Sequence, residues 1–306
     1  MMNLVGNRKW FFLISAVIII PGILSLIIFG LKPGIDFSSG STMTIRFESP
    51  VDQGDFRQQL MTLGYDNSTI QSTGEGDFFI RMGEISPEQR QVLVDSLESA
   101  FNTKVTVRDF YAVSPVIATE TARNAAIAVG IAAIFMLIYI AWAFRRMPRP
   151  YRWGVCAILA LLHDVLVVMG VFSILGWLAG VQIDAMFITG MLTVVGYSVN
   201  NTVVVFDRIR ENVSRGIGKD FEANVNTSIL ETMARSLNTS LTTLFVLLAL
   251  LLFGGITIRY FVMVLLIGVV AGTYSSMLIA GPLLVVWDKG GWRGFFSWLP
   301  FVKKTA

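Results

Sequence analysis

WGVCAILALLHDVLVVMGVFSILG, residues 153–176, carries no lysine or arginine and a single carboxylate, Asp164, beside a single histidine, His163. A helix rises about 1.5 Å per residue, so about 20 apolar residues cross the ~30 Å hydrocarbon layer of a bilayer. This stretch is long enough, and its reading as a membrane span sets the class of the whole chain. Five further runs reach spanning length, at roughly 10–30, 124–144, 183–206, 236–254 and 260–287. The run at 10–30 follows Arg8-Lys9, as a secretory signal would. It is too long for one, and no small-x-small cleavage site closes it, so it is read as an uncleaved first span.

Composition agrees. Only 15% of the 306 residues are charged and mean hydropathy is +0.65, where soluble domains carry about 25% charge. That balance excludes a soluble globule and indicates an α-helical polytopic membrane protein with six transmembrane helices. Residues 32–123 differ: eight Lys/Arg against thirteen Asp/Glu make them net −5. The expected division is 1–31, an N-terminus with the first span; 32–123, a hydrophilic domain; 124–287, spans two to six; and 288–306, a tail. Lys/Arg cluster in alternate loops: Arg145, Arg146, Arg149 and Arg152; then Arg208, Arg210, Arg215, Lys219 and Arg235; then Lys289, Arg293, Lys303 and Lys304 in the tail. The positive-inside rule places both termini in the cytoplasm and residues 32–123 outside. Because the basic residues flank spans, membrane orientation and lipid contact explain them, and nucleic acid is not a partner. Cys156 has no second cysteine to pair with and is read as packing.

The outer segment alternates strand and helix patterns. STMTIRFE (41–48) is a strand; DQGDFRQQLMTLG (52–64) is a helix presenting Phe56, Leu60 and Leu63; NSTIQST (67–73) and DFFIRM (77–82) are strands around Gly74-Glu75-Gly76. SPEQRQVLVDSLESAF (86–101) is a helix with Ser86 as N-cap, Pro87 at N1 and an apolar face of Val92, Leu93, Leu97 and Phe101. KVTVRDFYAV (104–113) closes the set. The order βαββαβ is that of a ferredoxin-like α+β domain. It holds no Cys or His, so it is read as a binding or structural module.

Polar groups inside spans are costly and mark function by default. His163 and Asp164 sit mid-span, either as a satisfied pair that fixes packing or as part of an ion path. In the fourth span Gly190, Thr193, Tyr197 and Asn201 fall on one helical face with Ser198 beside it. Asn201 can hydrogen-bond but does not titrate. In the fifth, Arg235, Asn238 or Thr239, and Thr242 share a face; Arg235 is read as snorkelling or as buried. In the sixth, Gly268 and Gly272 form a GxxxG followed by Ser275 and Ser276, a close-packing signal. No Ser/His/Asp set, phosphate loop or metal-ligand cluster is legible, so neither an enzyme, a metal nor a cofactor is expected.

Four stretches together resemble the SecD/SecF family of protein-export membrane proteins, in the resistance-nodulation-division superfamily, and within it the SecF branch. They are GIDFSSGS (34–41, with Gly34, Asp36 and Gly40), LLHDVL (161–166), GYSVNNTVVVFDRIREN (196–212, with Gly196, Tyr197, Asn200, Asp207 and Arg208) and RSLNTSLTTL…LLLFGG (235–255). The resemblance covers nearly the whole chain. It implies an accessory subunit of the Sec translocon that uses the proton-motive force to help preproteins across the bacterial cytoplasmic membrane. The partners implied are SecD, the SecYEG channel, YajC, YidC and the translocating preprotein.

Two positions depart from the family pattern. The family has a proton-carrying aspartate where this chain has Asn201, working opposite an arginine that matches Arg235. Here the arginine remains and the carboxylate does not. Three outcomes stay open: a variant with the acid neutralised, coupling through Asp164 or a carboxylate on SecD, or a scaffold that has lost coupling. A stand-alone exporter of the same superfamily is a different class of reading, disfavoured because six spans are half the usual unit. Ser39 stands where the family has glycine, with no essential loss expected.

Overall fold

The computed structural model describes residues 2–72, 76–145, 149–255 and 258–290. The expected turn residues Gly74 and Glu75, and the basic residues Arg146, Arg293, Lys303 and Lys304, lie outside them. The chain forms two compact units, one of residues 1–32 with 128 onward and one of residues 33–127.

The smaller unit holds α2 (Ile35–Ser38), β1 (Gly40–Phe47), α3 (Gln53–Thr62), β2 (Thr69–Ser72), β3 (Asp77–Met82), α4 (Pro87–Phe101) and β4 (Val105–Val113). Its strands form one antiparallel sheet in the order β2-β3-β1-β4. Alternation in β1 sends Met43, Ile45 and Phe47 into a core with Phe56 and Leu60 of α3, Phe78 and Ile80 of β3, and Leu93 and Leu97 of α4. The register of β4 slips opposite Thr44/Ile45 and leaves Arg108 as the extra residue.

Ser86 caps α4: its hydroxyl accepts from the Gln89 amide, and the Gln89 side chain returns to the Ser86 amide. The same hydroxyl donates to Glu88 at 2.6 Å and holds that carboxyl below the usual range. The apolar face of α4 runs through Val94, not Val92, which is exposed. At about 100° per residue, Val94 lies on the side of Leu97 and Phe101, and Val92 on the other side of Leu93.

Ser39 and Gly40 both have positive φ, of 62° and 132°. With ψ at 168°, Ser39 occupies a region that glycine alone adopts without strain. The departure from the family glycine therefore costs backbone energy here. Ser39→Gly is expected to raise the unfolding free energy by about 1–2 kcal/mol, read from chemical denaturation. An unchanged midpoint would show that the strain is relieved elsewhere.

The larger unit contains α1 (Arg8–Phe29), α6 (Pro150–Ala179), α7 (Ala185–Arg215), α8 (Phe221–Phe253), α9 (Arg259–Ser275), a π-helical turn (Ser276–Ala280) and α10 (Gly281–Asp288). It also holds the part of α5 (Pro115–Ala143) from residue 128. Among the described residues six helices are long and apolar enough to cross a membrane, the last formed by α9, the π-turn and α10 in continuity.

The helices outrun the expected spans. α5 begins at Pro115, and most of the expected loop 207–235 is helix. Hydropathy marks only the part of a helix that fits in hydrocarbon; the backbone ladder continues where side chains support it. Here Arg208 pairs with Glu211 at 2.5 Å and Glu231 at 2.7 Å, Arg215 with Glu211 at 2.7 Å, and Asn212 donates to Ser228 at 2.9 Å. Gly216, at φ 65°, ends α7, and Asp220 caps α8 by accepting from the Ala223 amide at 2.7 Å.

The N-terminal segment is tied to the same end of α8. Asn226 accepts from the amides of Leu4 and Val5 and donates to the carbonyl of Met2. Cys156 is a buried free thiol in the apolar cluster around Trp153, Phe206 and Ile229.

Candidate functional site

Four helices bring polar groups together midway along the spans. Asp164, halfway along α6, is 0% exposed. Its Oδ1 lies 2.9 Å from His163 Nδ1. Its Oδ2 accepts from Ser275 Oγ of α9 at 2.8 Å and from Ser198 Oγ of α7. A carboxylate in hydrocarbon is tolerated only when its lone pairs are met, and here three donors converge on it.

His163 extends the network. Its Nε2 lies 3.0 Å from Ser15 Oγ of α1, and its ring stacks on Tyr274 of α9 with centroids 5.9 Å apart. Tyr274 donates to the Phe11 carbonyl at 2.6 Å, and its oxygen is 3.4 Å from Ser15 Oγ. Ser15, His163 and Asp164 are thus linked as serine, histidine and carboxylate, a set the separated sequence positions concealed. The carboxylate on Nδ1 fixes the ring so that Nε2 faces Ser15. Ser15 is itself buried against His163 and Tyr274 within a span, so the chain of bonds suits the movement of a proton.

Close helix approach makes these contacts possible. A Cβ on Gly268 of α9 would lie 2.1 Å from Val194 Cγ2 of α7, and one on Gly272 would lie 3.1 Å from Ser198 Cβ. The GxxxG therefore presses α9 onto α7 at the level of the carboxylate. The π-turn begins at Ser276, next to Ser275. Pro282 beyond it has no amide hydrogen to return to the preceding turn.

A second hydroxyl chain joins α7, α8 and α9. Tyr197 Oη is 2.8 Å from Ser240 Oγ, which is 2.6 Å from Thr273 Oγ1. Nothing in the sequence pattern singled out Ser15, Tyr274, Ser240 or Thr273. A lone hydroxyl in a span bonds its own helix as often as a neighbour, and only the packing distinguishes the cases.

The other expected residues are dispersed. Asn201 is 5% exposed, and among the described residues its Nδ2 has no hydrogen-bond acceptor and the neighbouring Thr202 hydroxyl has no partner. Arg235 is exposed on α8 and forms no ion pair among the described residues, and no hydrogen bond there joins it to Asn201. Asn238, Thr239 and Thr242 continue Arg235's exposed face, with Thr239 bonded to the Arg235 carbonyl at 3.0 Å and Thr242 to the Thr239 carbonyl at 2.9 Å.

Asn200 is exposed and lines a cavity of about 450 Å³ with Gly196 and Val199 of α7 and Phe135, Met136 and Tyr139 of α5. Asp207 pairs with Arg210 at 2.5 Å near the end of α7. Gly34, which precedes α2, Asp36 in its first turn, and Gly40 in β1 all belong to the smaller unit. Among the described residues no group of three His, Cys, Asp or Glu side chains is placed to hold a metal ion.

Comparison with known proteins places the chain in a family. The family described as protein export membrane protein SecD/SecF, C-terminal, matches residues 93–290, and the SecD/SecF GG motif matches residues 24–51. The chain belongs to the SecD/SecF protein-export family. Two relatives named protein translocase subunit SecF, from Anaerolinea thermophila and Thermobaculum terrenum, are each 46% identical; the match covers 97% of both chains for the first and 94% of both for the second. The SecDF subunit of Bacillus subtilis is 35% identical over 92% of this chain and 37% of its own length.

Among solved structures, SecDF of Thermus thermophilus, described as a translocon-associated membrane protein, superposes with a TM-score of 0.82 at 33% identity. The match covers 94% of this chain, which spans 39% of that one. Membership of the SecD/SecF family, with six apolar helices, makes this a multi-pass protein of the bacterial inner membrane. The GG-motif match, residues 24–51, contains the Ser39-Gly40 turn, where both residues have positive φ.

Proposed function

We propose that this chain works with SecD as an accessory subunit of Sec protein translocation and that Asp164, with His163, is its ion-coupling group. The observation that carries this reading is a fully buried mid-span carboxylate whose donors come from three helices, so that a change in its charge must be felt by all three. Asn201, at the position of the family aspartate, does not titrate. The proton-motive force supplies the energy, about 2.3 kcal/mol per charge per 100 mV.

The exposed stripe Arg235–Asn238–Thr239–Thr242 on α8 faces the spans of SecD, since an unpaired cation and three polar side chains are unsuited to lipid. Residues 32–123 form a ferredoxin-like domain outside the membrane that meets the emerging preprotein; the sheet order β2-β3-β1-β4 supports it. Both termini, including the tail 288–306, are cytoplasmic. SecYEG, YajC and YidC complete the assembly. No covalent catalysis and no cofactor enter this reading.

The test is preprotein export into vesicles carrying SecYEG, SecD and this chain, with and without an imposed proton gradient. Gradient-stimulated export that needs this chain supports the proposal; export indifferent to the gradient overturns it. Asn201→Asp is expected to raise the stimulated component severalfold, because it returns a titratable group to the family position and removes an unpaired buried donor. Identical export by both proteins would take Asn201 out of the coupling site. The unpaired Asn201 amide also favours a second reading, a scaffold without coupling, in which Asp164→Asn would be silent.

A further inference from the structure

We infer that Ser15 of α1 is a switch that reads the proton count of the His163–Asp164 pair and passes it to Tyr274 of the last span. The inference rests on the reading of that pair as the coupling group. It follows from counting hydrogens. Ser15 has one hydroxyl proton and two neighbours that can take it: His163 Nε2 at 3.0 Å and Tyr274 Oη at 3.4 Å. The tyrosine's own proton is committed to the Phe11 carbonyl at 2.6 Å, so towards Ser15 it can only accept. Asp164 accepts from Ser198 and Ser275 on one oxygen and shares the other with His163 Nδ1.

With the pair unloaded, Asp164 is ionised, Nδ1 carries the ring's proton, and the bare Nε2 must accept from Ser15. Adding one proton puts a hydrogen on Nε2. This holds whether the extra proton makes the ring an imidazolium, or sits on Asp164 and turns the neutral ring to its other tautomer. The two cases are one macroscopic state seen from outside. Nε2 then donates to Ser15, and Ser15 must send its own hydrogen to Tyr274. The proton count alone therefore sets the direction of the His163–Ser15 bond.

Ser15 lies within reach of both neighbours, 3.0 Å from His163 Nε2 and 3.4 Å from Tyr274 Oη. Loading closes the 3.4 Å gap towards a normal hydroxyl bond of about 2.8 Å and draws α1 to α9. Of the groups facing the ring and its carboxylate, α1 contributes Ser15, α7 Ser198, and α9 Tyr274 and Ser275. Among these described residues none is charged, and Tyr274 is the one that titrates. No lysine or arginine pairs with Asp164 among the described residues, so the proton count is set within the network.

His163 is the only histidine in the chain, which gives a direct readout. The untagged full-length chain, labelled with ¹⁵N-imidazole histidine and held in lipid bilayers, yields a single Nε2 resonance. It is expected to be unprotonated at alkaline pH and to gain a proton in one step on acidification. Tyr274→Phe keeps the stacked ring but removes the acceptor that the loaded state needs. It should weaken proton binding about tenfold, moving the midpoint down by about one pH unit.

Ser15→Ala should act in the same direction, and it supplies the comparison if the tyrosine variant fails to reach the membrane. Ser15→Thr, which keeps the hydroxyl, should stay within about twofold of the original. An Nε2 protonated throughout pH 5–9, or a midpoint unmoved in Tyr274→Phe and Ser15→Ala, overturns the switch. Shifted midpoints with unchanged gradient-stimulated export would support the switch and count against proton-driven export.

Discussion

Asp164→Asn is expected to remove the gradient-stimulated part of preprotein export while leaving the chain inserted. The carboxylate is 0% exposed and met by an imidazole and two serine hydroxyls. An amide of the same shape accepts from the hydroxyls but cannot gain or lose a proton near neutrality. One charge moved through 100 mV is worth about 2.3 kcal/mol, or about a 50-fold bias at ~1.4 kcal/mol per tenfold. A stimulated rate cut by about tenfold or more is therefore the expected scale. Insertion should not suffer, because a carboxylate at mid-span costs about 2.5–3.5 kcal/mol on translocon scales and the amide costs less. The measurement is export at matched membrane levels of the two proteins, with and without the imposed gradient. Equal stimulation would reduce Asp164 to a packing group.

Gly268→Leu is expected to be the most destabilising single change in the membrane unit. Even a Cβ at this position would lie 2.1, 2.5 and 2.8 Å from the Cγ2, Cγ1 and Cβ atoms of Val194, which is 0% exposed. These atoms belong to a short, stiff, β-branched side chain that cannot swing away. The helices must part instead, and overpacking of this kind costs about 1–3 kcal/mol and occasionally more. Leucine should lie at or above the top of that range. Ser198 and Ser275 would then separate from Asp164, so export should fall together with stability. Thermal unfolding in detergent or nanodiscs measures the effect. Gly196→Ala is the control: a Cβ there meets nothing within 4 Å, and since alanine favours the helix over glycine its unfolding temperature should not fall. Equal stability of the Gly268 and control variants would show that α7 and α9 can repack.

The two predictions turn on residues that differ in how visible they were along the chain. Asp164 stood out because a carboxylate among aliphatic side chains is rare and costly. Gly268 and Gly272 stood out as a spacing, which indicates close packing and leaves the partner unnamed; the structure supplies Val194 and Ser198 of α7. Ser15 and Tyr274 carried no signal, because each is one hydroxyl in an apolar helix. Their significance is a matter of which neighbour lies within 3.5 Å.

Arg235 is read from sequence as snorkelling or as buried; within this chain its Thr/Asn face is exposed, and the buried face of the same helix carries Ser228, Thr232, Ser236 and Ser240. Periodicity identifies faces of a helix without saying which one turns inward. The helical pairing of Arg208 with Glu231 was hidden for a related reason: charge after a span reads as loop until a second helix is found beside it.

The short helix Ile35–Ser38 came only from the structure; sequence alone determined the spans, the hydrophilic insert, the strands and the two longer helices within it, and the family. These follow from local quantities: hydrophobic length against bilayer thickness, a period of two or 3.6 residues, caps such as Ser86, and ordered motifs. Tertiary structure alone decided that Asp164 meets Ser198 and Ser275, that His163 reaches Ser15, and that Asn201 is left with an unpaired amide. Hydrogen bonds act over about 3 Å, and the residues that come within that distance here are up to 263 positions apart in the chain.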